Sequence, residues 1–170
     1  MENNLYGEFI EQSLEFINQS TSKIKSCMKE LGERDVWYSP NENLNSVGNL
    51  VLHLSGNIRE YIISSLGGEP DIRERDLEFS TRGGFTNAEL INKLEDTVDE
   101  ANNIISNISQ ENLLRKRIVQ GFPYSGVGVI IHVTEHYSYH TGQIIFLTKL
   151  MKNMDMGFYA DVDLNKKNSV

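Results

Sequence analysis

HVTEHYSYHTGQ, residues 132–143, places His132, His136 and His140 four residues apart inside a longer apolar segment that runs from about Val127 to Met151. At 3.6 residues per turn this spacing stacks side chains on one face of a helix. Counting roughly 100° per residue puts Val129, Val133, His136, His140, Gln143, Ile144, Leu147 and Met151 within about 60° of one line. His132 falls at the edge of that stripe near Leu150, whereas Glu135, Ser138 and Lys149 point elsewhere. The segment therefore reads as a long last helix with His136 and His140 in mid-stripe, facing the core.

The same 3.6-residue period recurs upstream. Leu5, Phe9, Leu14, Phe16, Ile17, Ile24, Met28 and Leu31 mark a first helix over 5–31 that stops at Gly32. Ser46 is an N-cap candidate for a second, carrying Val47, Leu50, Val51, Leu54, Ile58, Tyr61 and Ile62 and ending at Gly67-Gly68. Thr86-Asn87-Ala88-Glu89 matches a capping box for a third, with Leu90, Ile91, Leu94, Val98, Ala101, Ile104, Ile105 and Ile108 behind it. Residues 67–85 are charged and rich in turn formers, long enough to cross the end of a bundle. A polar link with Gly121, Pro123 and Gly126 precedes the last helix, and strand signals are nearly absent. The expectation is an all-α four-helix bundle: one domain over 1–152, with a C-terminal tail over 153–170.

Composition narrows the partners. The 170 residues are 39% hydrophobic and 24% charged, which suits an ordinary soluble domain. A net charge of -8 with no basic stripe argues against nucleic acid and anionic membranes. The single Cys27 forms no internal disulfide, and MENNLYGEFIEQSLEF lacks the basic start and apolar stretch of a signal peptide, so a reducing cytoplasm is expected. No apolar run approaches the ~18 residues that span a bilayer. Cys27 and Trp37 read as core or boundary residues.

Burying unpartnered imidazoles costs about 1–3 kcal/mol for each unsatisfied group, and a metal removes that cost. Neutral imidazoles at i and i+4 can point at one spot, the reason His-x-x-x-His recurs in zinc sites. A third ligand must come from another helix, and His53 is the remaining histidine. It sits about 120° from the centre of its helix's apolar stripe, on a flank beside Asn49 and Asn57. An i,i+4 histidine pair is also compatible with a purely structural role. No residue is an evident general base: Glu135 points away, Glu60 lies two turns from His53, and Tyr137 and Tyr139 flank the pair, all read as solvated or packing side chains.

NSVGNLVLHLSGNIREYI (45–62) and HVTEHYSYHTGQIIFLTK (132–149) resemble the DinB-like superfamily of small four-helix proteins, and within it a branch of cytoplasmic members. The resemblance runs from the first helix to about residue 152. It implies an up-down-down-up bundle, which suits the long 67–85 crossover, and a three-histidine site for a divalent metal, zinc or nickel, formed by His53, His136 and His140. Gln143 and His132 would stand behind those ligands, with Asn57 beside His53. It further implies metal-dependent activation of a low-molecular-weight thiol for transfer to a small electrophile, with metal-assisted hydrolysis and a non-catalytic metal-binding bundle as alternatives. Relatives often pair, so a homodimer is expected.

Overall fold

The computed structural model describes residues 5–168. Residues 1–4 and 169–170, placed above in the domain and in the tail, lie outside the described residues. Four long helical segments dominate: α1 (Leu5–Glu30), α3 (Val47–Ile58) with its continuation Arg59–Ser64, α5 (Asn87–Ser106) and α7 (Gly126–Lys152). Shorter pieces link them: α2 (Glu33–Val36), α4 (Arg75–Ser80), α6 (Gln110–Leu114) and the strands β1 (Lys116–Val119) and β2 (Phe122–Ser125).

α1, α5 and α7 each bury one stripe, whereas α3 is buried on nearly every side. In α1 the buried positions are Ile10, Ser13, Ile17, Thr21, Ile24, Cys27 and Met28, at steps of three and four. Two of them are hydroxyls that donate to the carbonyl four residues back: Ser13 to Phe9 at 2.7 Å, and Thr21 to Ile17 at 2.9 Å. Leu5 and Phe16, counted above with the apolar face, are exposed instead. α1 packs on α5 and α7, and α3 packs on the same two helices, so the four segments close around one core. Tyr61 and Tyr137 are the bulkiest side chains wholly inside it.

Helix starts follow local chemistry. Ser46 accepts from the Asn49 amide while Asn49 Oδ1 accepts from the Ser46 amide, which fixes the entry to α3. Thr86 and Glu89 make the same reciprocal pair at α5. α7 is capped at its start by Ser125, whose hydroxyl accepts from the Gly128 amide, and at its end by Asn153 in the left-handed conformation. Beyond it the chain forms turns without a regular element as far as residue 168, although Met156 and Phe158 still pack on the core.

Two features depart from the reading of the sequence. The link between the last two long helices is an antiparallel hairpin, with Arg117 opposite Tyr124 and Val119 opposite Phe122. Its two-residue turn has Gln120 at φ 50° and Gly121 at φ 82°, the paired positive dihedrals that suit a tight hairpin. The second helix also does not continue as α-helix to its end: from Arg59 to Ser64 it widens into π-helical geometry. Among the described residues no helix is long and apolar enough to cross a membrane.

Candidate metal centre

His53 is buried on α3, while His136 and His140 are half-buried on α7. One ring nitrogen from each lies within 4.8 Å of the others. Ring centroids are 5.0 Å apart for His53 and His136, 5.0 Å for His53 and His140, and 4.5 Å for His136 and His140. The buried face of α7 is centred differently from the expected stripe: Val129, Ile130, Val133, Tyr137, Thr141, Ile144, Leu147 and Thr148 form it, and the two histidines border it. A hydrophobicity wheel misplaces this line because it discounts Thr141 and Thr148. Both threonine hydroxyls are satisfied by donating to the carbonyl four residues back and so bury easily. Tyr137, read above as a flanking residue, is core: its hydroxyl meets that of Thr21 at 2.9 Å, and burial pushes its pKa upward.

The flank of α3 that carries His53 is covered by α4. Asn49 Nδ2 donates to the Glu78 and Thr81 carbonyls at 2.9 and 2.8 Å, fastening α4 to α3. The Phe79 ring lies 4.7 Å from the imidazole. Glu78 Oε2 sits 2.9 Å from His53 Nδ1. Arg73 holds the same carboxylate in a two-pronged grip, Nε to Oε1 at 2.7 Å and Nη2 to Oε2 at 2.8 Å, and its Nη1 donates to Glu60 Oε2 at 2.7 Å. Burial pushes the Glu78 carboxyl up, but hydrogen bonds and charge from Arg73 and His53 outweigh it and hold it below the usual range. An ionised Glu78 accepts only, so a proton on His53 Nδ1 satisfies this contact, while Nε2 faces α7.

On the other side His140 Nδ1 donates to Gln143 Oε1 at 2.7 Å, which leaves its Nε2 lone pair free as well. His136 Nε2 faces His53 Nε2 at 2.9 Å. That contact is satisfied only if His136 donates its own ring proton, or if a cation between the rings takes both lone pairs. Burial pushes the His136 pKa down to about 3, with His140, His53, His132 and Arg73 adding to it. Burial also lowers His140 and His132. Three imidazoles whose nitrogens converge in this way fit a divalent cation, and a three-nitrogen set leaves a coordination position for a reactant.

His132 stays outside the trio. Its ring stacks between Tyr61, with centroids 4.2 Å apart, and His136, at 5.4 Å, forming one wall of the site. Asn57 is buried on α3, yet among the described residues its side chain makes no hydrogen bond to the three histidines; the space beside His53 is taken by Glu78. Glu135 is exposed. Glu60, read above as a solvated or packing side chain, is instead buried, accepting from Arg73 and, at 2.7 Å, from Gln120 Nε2. Sequence reasoning missed Arg73 and Glu78 because GGEPDIRERDLEFS holds seven charges in fourteen residues, and nothing in that string separates the two that turn inward from the five that do not.

The sequence model of the family described as "Protein of unknown function (DUF1572)" matches residues 4–160. No curated protein matches the chain. Nine solved chains do. One is a DinB-like protein, YjoA, from Bacillus subtilis, 15% identical over 85% of this chain and 94% of its own, with a TM-score of 0.66. Another is a histidine-to-alanine mutant of a mycothiol-dependent maleylpyruvate isomerase, 14% identical over 79% of this chain, with a TM-score of 0.64. This chain spans 60% of that isomerase's length. Matched by the family model over nearly all of its length and by these structures in its fold, the chain belongs to the DUF1572 family and has a DinB-like architecture.

Proposed function

We propose that His53, His136 and His140 hold one divalent cation, zinc or nickel, and that the protein is an enzyme activating a low-molecular-weight thiol for transfer to a small electrophile. The observation that carries this reading is the convergence of ring nitrogens from α3 and α7, within 4.8 Å of one another, with Nδ1 of His53 and of His140 within hydrogen-bond distance of Glu78 and Gln143. Likeness in fold to a mycothiol-dependent isomerase supports a thiol as co-substrate. A bound cation would lower the pKa of a coordinated thiol or water. The chain's own part is to aim three imidazoles at one point, with burial holding His136 and His140 against protonation. Gln143 orients His140, and the Tyr61–His132 stack walls one side. No side chain is assigned as general base.

The wider reading is a four-helix bundle running up-down-down-up, working in the cytoplasm on small molecules. The homodimer reading finds support in the exposed Ile131, Phe146 and Leu150 on the outer face of α7.

Elemental analysis of the purified protein beside His53→Ala, His136→Ala and His140→Ala tests the site. One equivalent of zinc or nickel in the wild type and little in each folded variant is expected. Occupancy untouched by all three substitutions would remove the proposal. The metallated protein is then assayed for conjugation of thiols to electrophiles and for ester and amide cleavage. Cleavage without conjugation would transfer the reading to a hydrolase, and stoichiometric metal with neither activity to a binding protein.

A further inference from the structure

The segment between the second and third long helices does more than connect them. Glu78 reaches His53 from α4, twenty-five residues further along the chain, and it arrives across Gly56. A Cβ on Gly56 would lie 1.9 Å from Glu78 Oε1, 2.7 Å from its Cδ and 3.1 Å from Arg73 Nε. Only a residue without a side chain at this position lets the carboxylate and its arginine settle against α3. The position is one turn beyond His53 on the same helix, so the missing side chain and the imidazole frame a single notch.

Arg73 fixes which way the carboxylate faces. Its two-pronged grip engages both oxygens of Glu78, and Oε2 also accepts from His53 Nδ1. Arg73 Nη2 lies 3.2 Å from His53 Nδ1 because both donors converge on that oxygen. A third arm of the same guanidinium holds Glu60, which receives Gln120 from the hairpin turn, and Gln120 Oε1 in turn accepts from the Tyr61 hydroxyl at 3.1 Å. The notch is thus braced from α4, from the π-helical turn and from the hairpin.

We infer that Glu78 is a positioning residue for His53: held by Arg73 over Gly56, it fixes the imidazole as the Nδ1–H tautomer and presents Nε2 to His136 and His140. This rests on the metal reading above, but the tautomer exists without metal. Carboxylate partners behind ligating histidines commonly change metal affinity by 10–100-fold.

Two variants and two readouts test it. In the metal-free wild type, the ring ¹⁵N shifts of His53 should report protonation at Nδ1. Glu78→Gln keeps the shape but loses the charge, and Gly56→Ala leaves Glu78 in place in the sequence while expelling its carboxylate from the notch. Alanine is the better helix former, so the second variant keeps the local helix propensity of α3. Each variant should weaken zinc binding about 10–100-fold in competition with a chelator, and Gly56→Ala should return His53 to a mixture of tautomers. A wild-type His53 protonated at Nε2 would overturn the inference. So would zinc affinity within about twofold of wild type in both folded variants. Failure of the wild type to bind zinc or nickel, with the Nδ1–H tautomer intact, would overturn the metal reading and leave the positioning of His53 standing.

Discussion

The two ends of the histidine cluster are held in contrasting ways. His53 is braced by a charge: a buried carboxylate, itself gripped by Arg73 and shared, through Glu60 and Gln120, with the hairpin. His140 is braced by a neutral amide three residues along its own helix, in a half-buried position. The first brace depends on chain segments far apart, and the second needs only one turn of α7. An ionised partner strengthens the hydrogen bond and the basicity of the ring behind it, roughly doubling what a neutral acceptor supplies. The contrast teaches that a site can be fixed at one edge by tertiary structure and left adjustable at the other. Next to the adjustable edge lies a cavity of about 450 Å³ lined by Leu50, Tyr139, Gly142, Gln143 and Phe146 among others, of a size suited to a small ligand.

Breaking the contrast at its rigid end gives the largest effect. Arg73→Leu strands the Glu78 and Glu60 carboxylates in a buried setting, and removing one member of a buried charge cluster costs about 3–5 kcal/mol. A denaturant melt should show that loss, and a midpoint unchanged from wild type would mean the grip contributes nothing to stability. Acid acts on the other side of the comparison, through the α7 rings. Unfolded, His136 takes up a proton near the ordinary 6.5, but folded it resists until about 3, so the unfolded state binds more protons within that window. Stability of the metal-free protein should therefore fall as pH drops from about 7 to about 5, as thermal melts would register, and His132 and His140 shift in the same direction. A flat profile over that range would contradict the burial of these rings.

The smallest effect sharpens the comparison. Gln143→Ala removes the neutral brace and should weaken zinc binding by up to about tenfold, less than loss of the charged one. Gln143→Glu makes the two edges alike and should strengthen it by severalfold. Chelator competition distinguishes these, and equal losses from Gln143→Ala and Glu78→Gln would erase the contrast.

How much of this was legible in the sequence follows from where the information sits. Apolar spacing and the Thr86–Glu89 box are local, so the long helices read correctly, and the four-residue step of the histidines announced a shared face. The centre of the α7 stripe did not read correctly, because Thr141 and Thr148 bury by satisfying their own hydroxyls. The hairpin carried a weak cue in Val119-Gln120-Gly121, offset by Pro123, which argues against a strand and is tolerated here in a two-stranded ribbon with edges on both sides. Arg73 and Glu78 were hidden for a different reason: their inward turn depends on Gly56, which precedes them by seventeen and twenty-two residues, a tertiary condition that no local pattern records.

The meeting of His53 with His136 spans 83 residues of chain. A disordered polypeptide offers the α7 pair as at most a loose chelate, because drawing the third imidazole in means closing that long loop. A cation with full affinity only for the closed chain shifts the folding equilibrium by mass action, adding about 2.7 kcal/mol at a hundredfold excess over its dissociation constant. Occupancy of the centre would then serve as a gauge of completed folding, and starvation for metal would be felt first as a shortened lifetime of the protein.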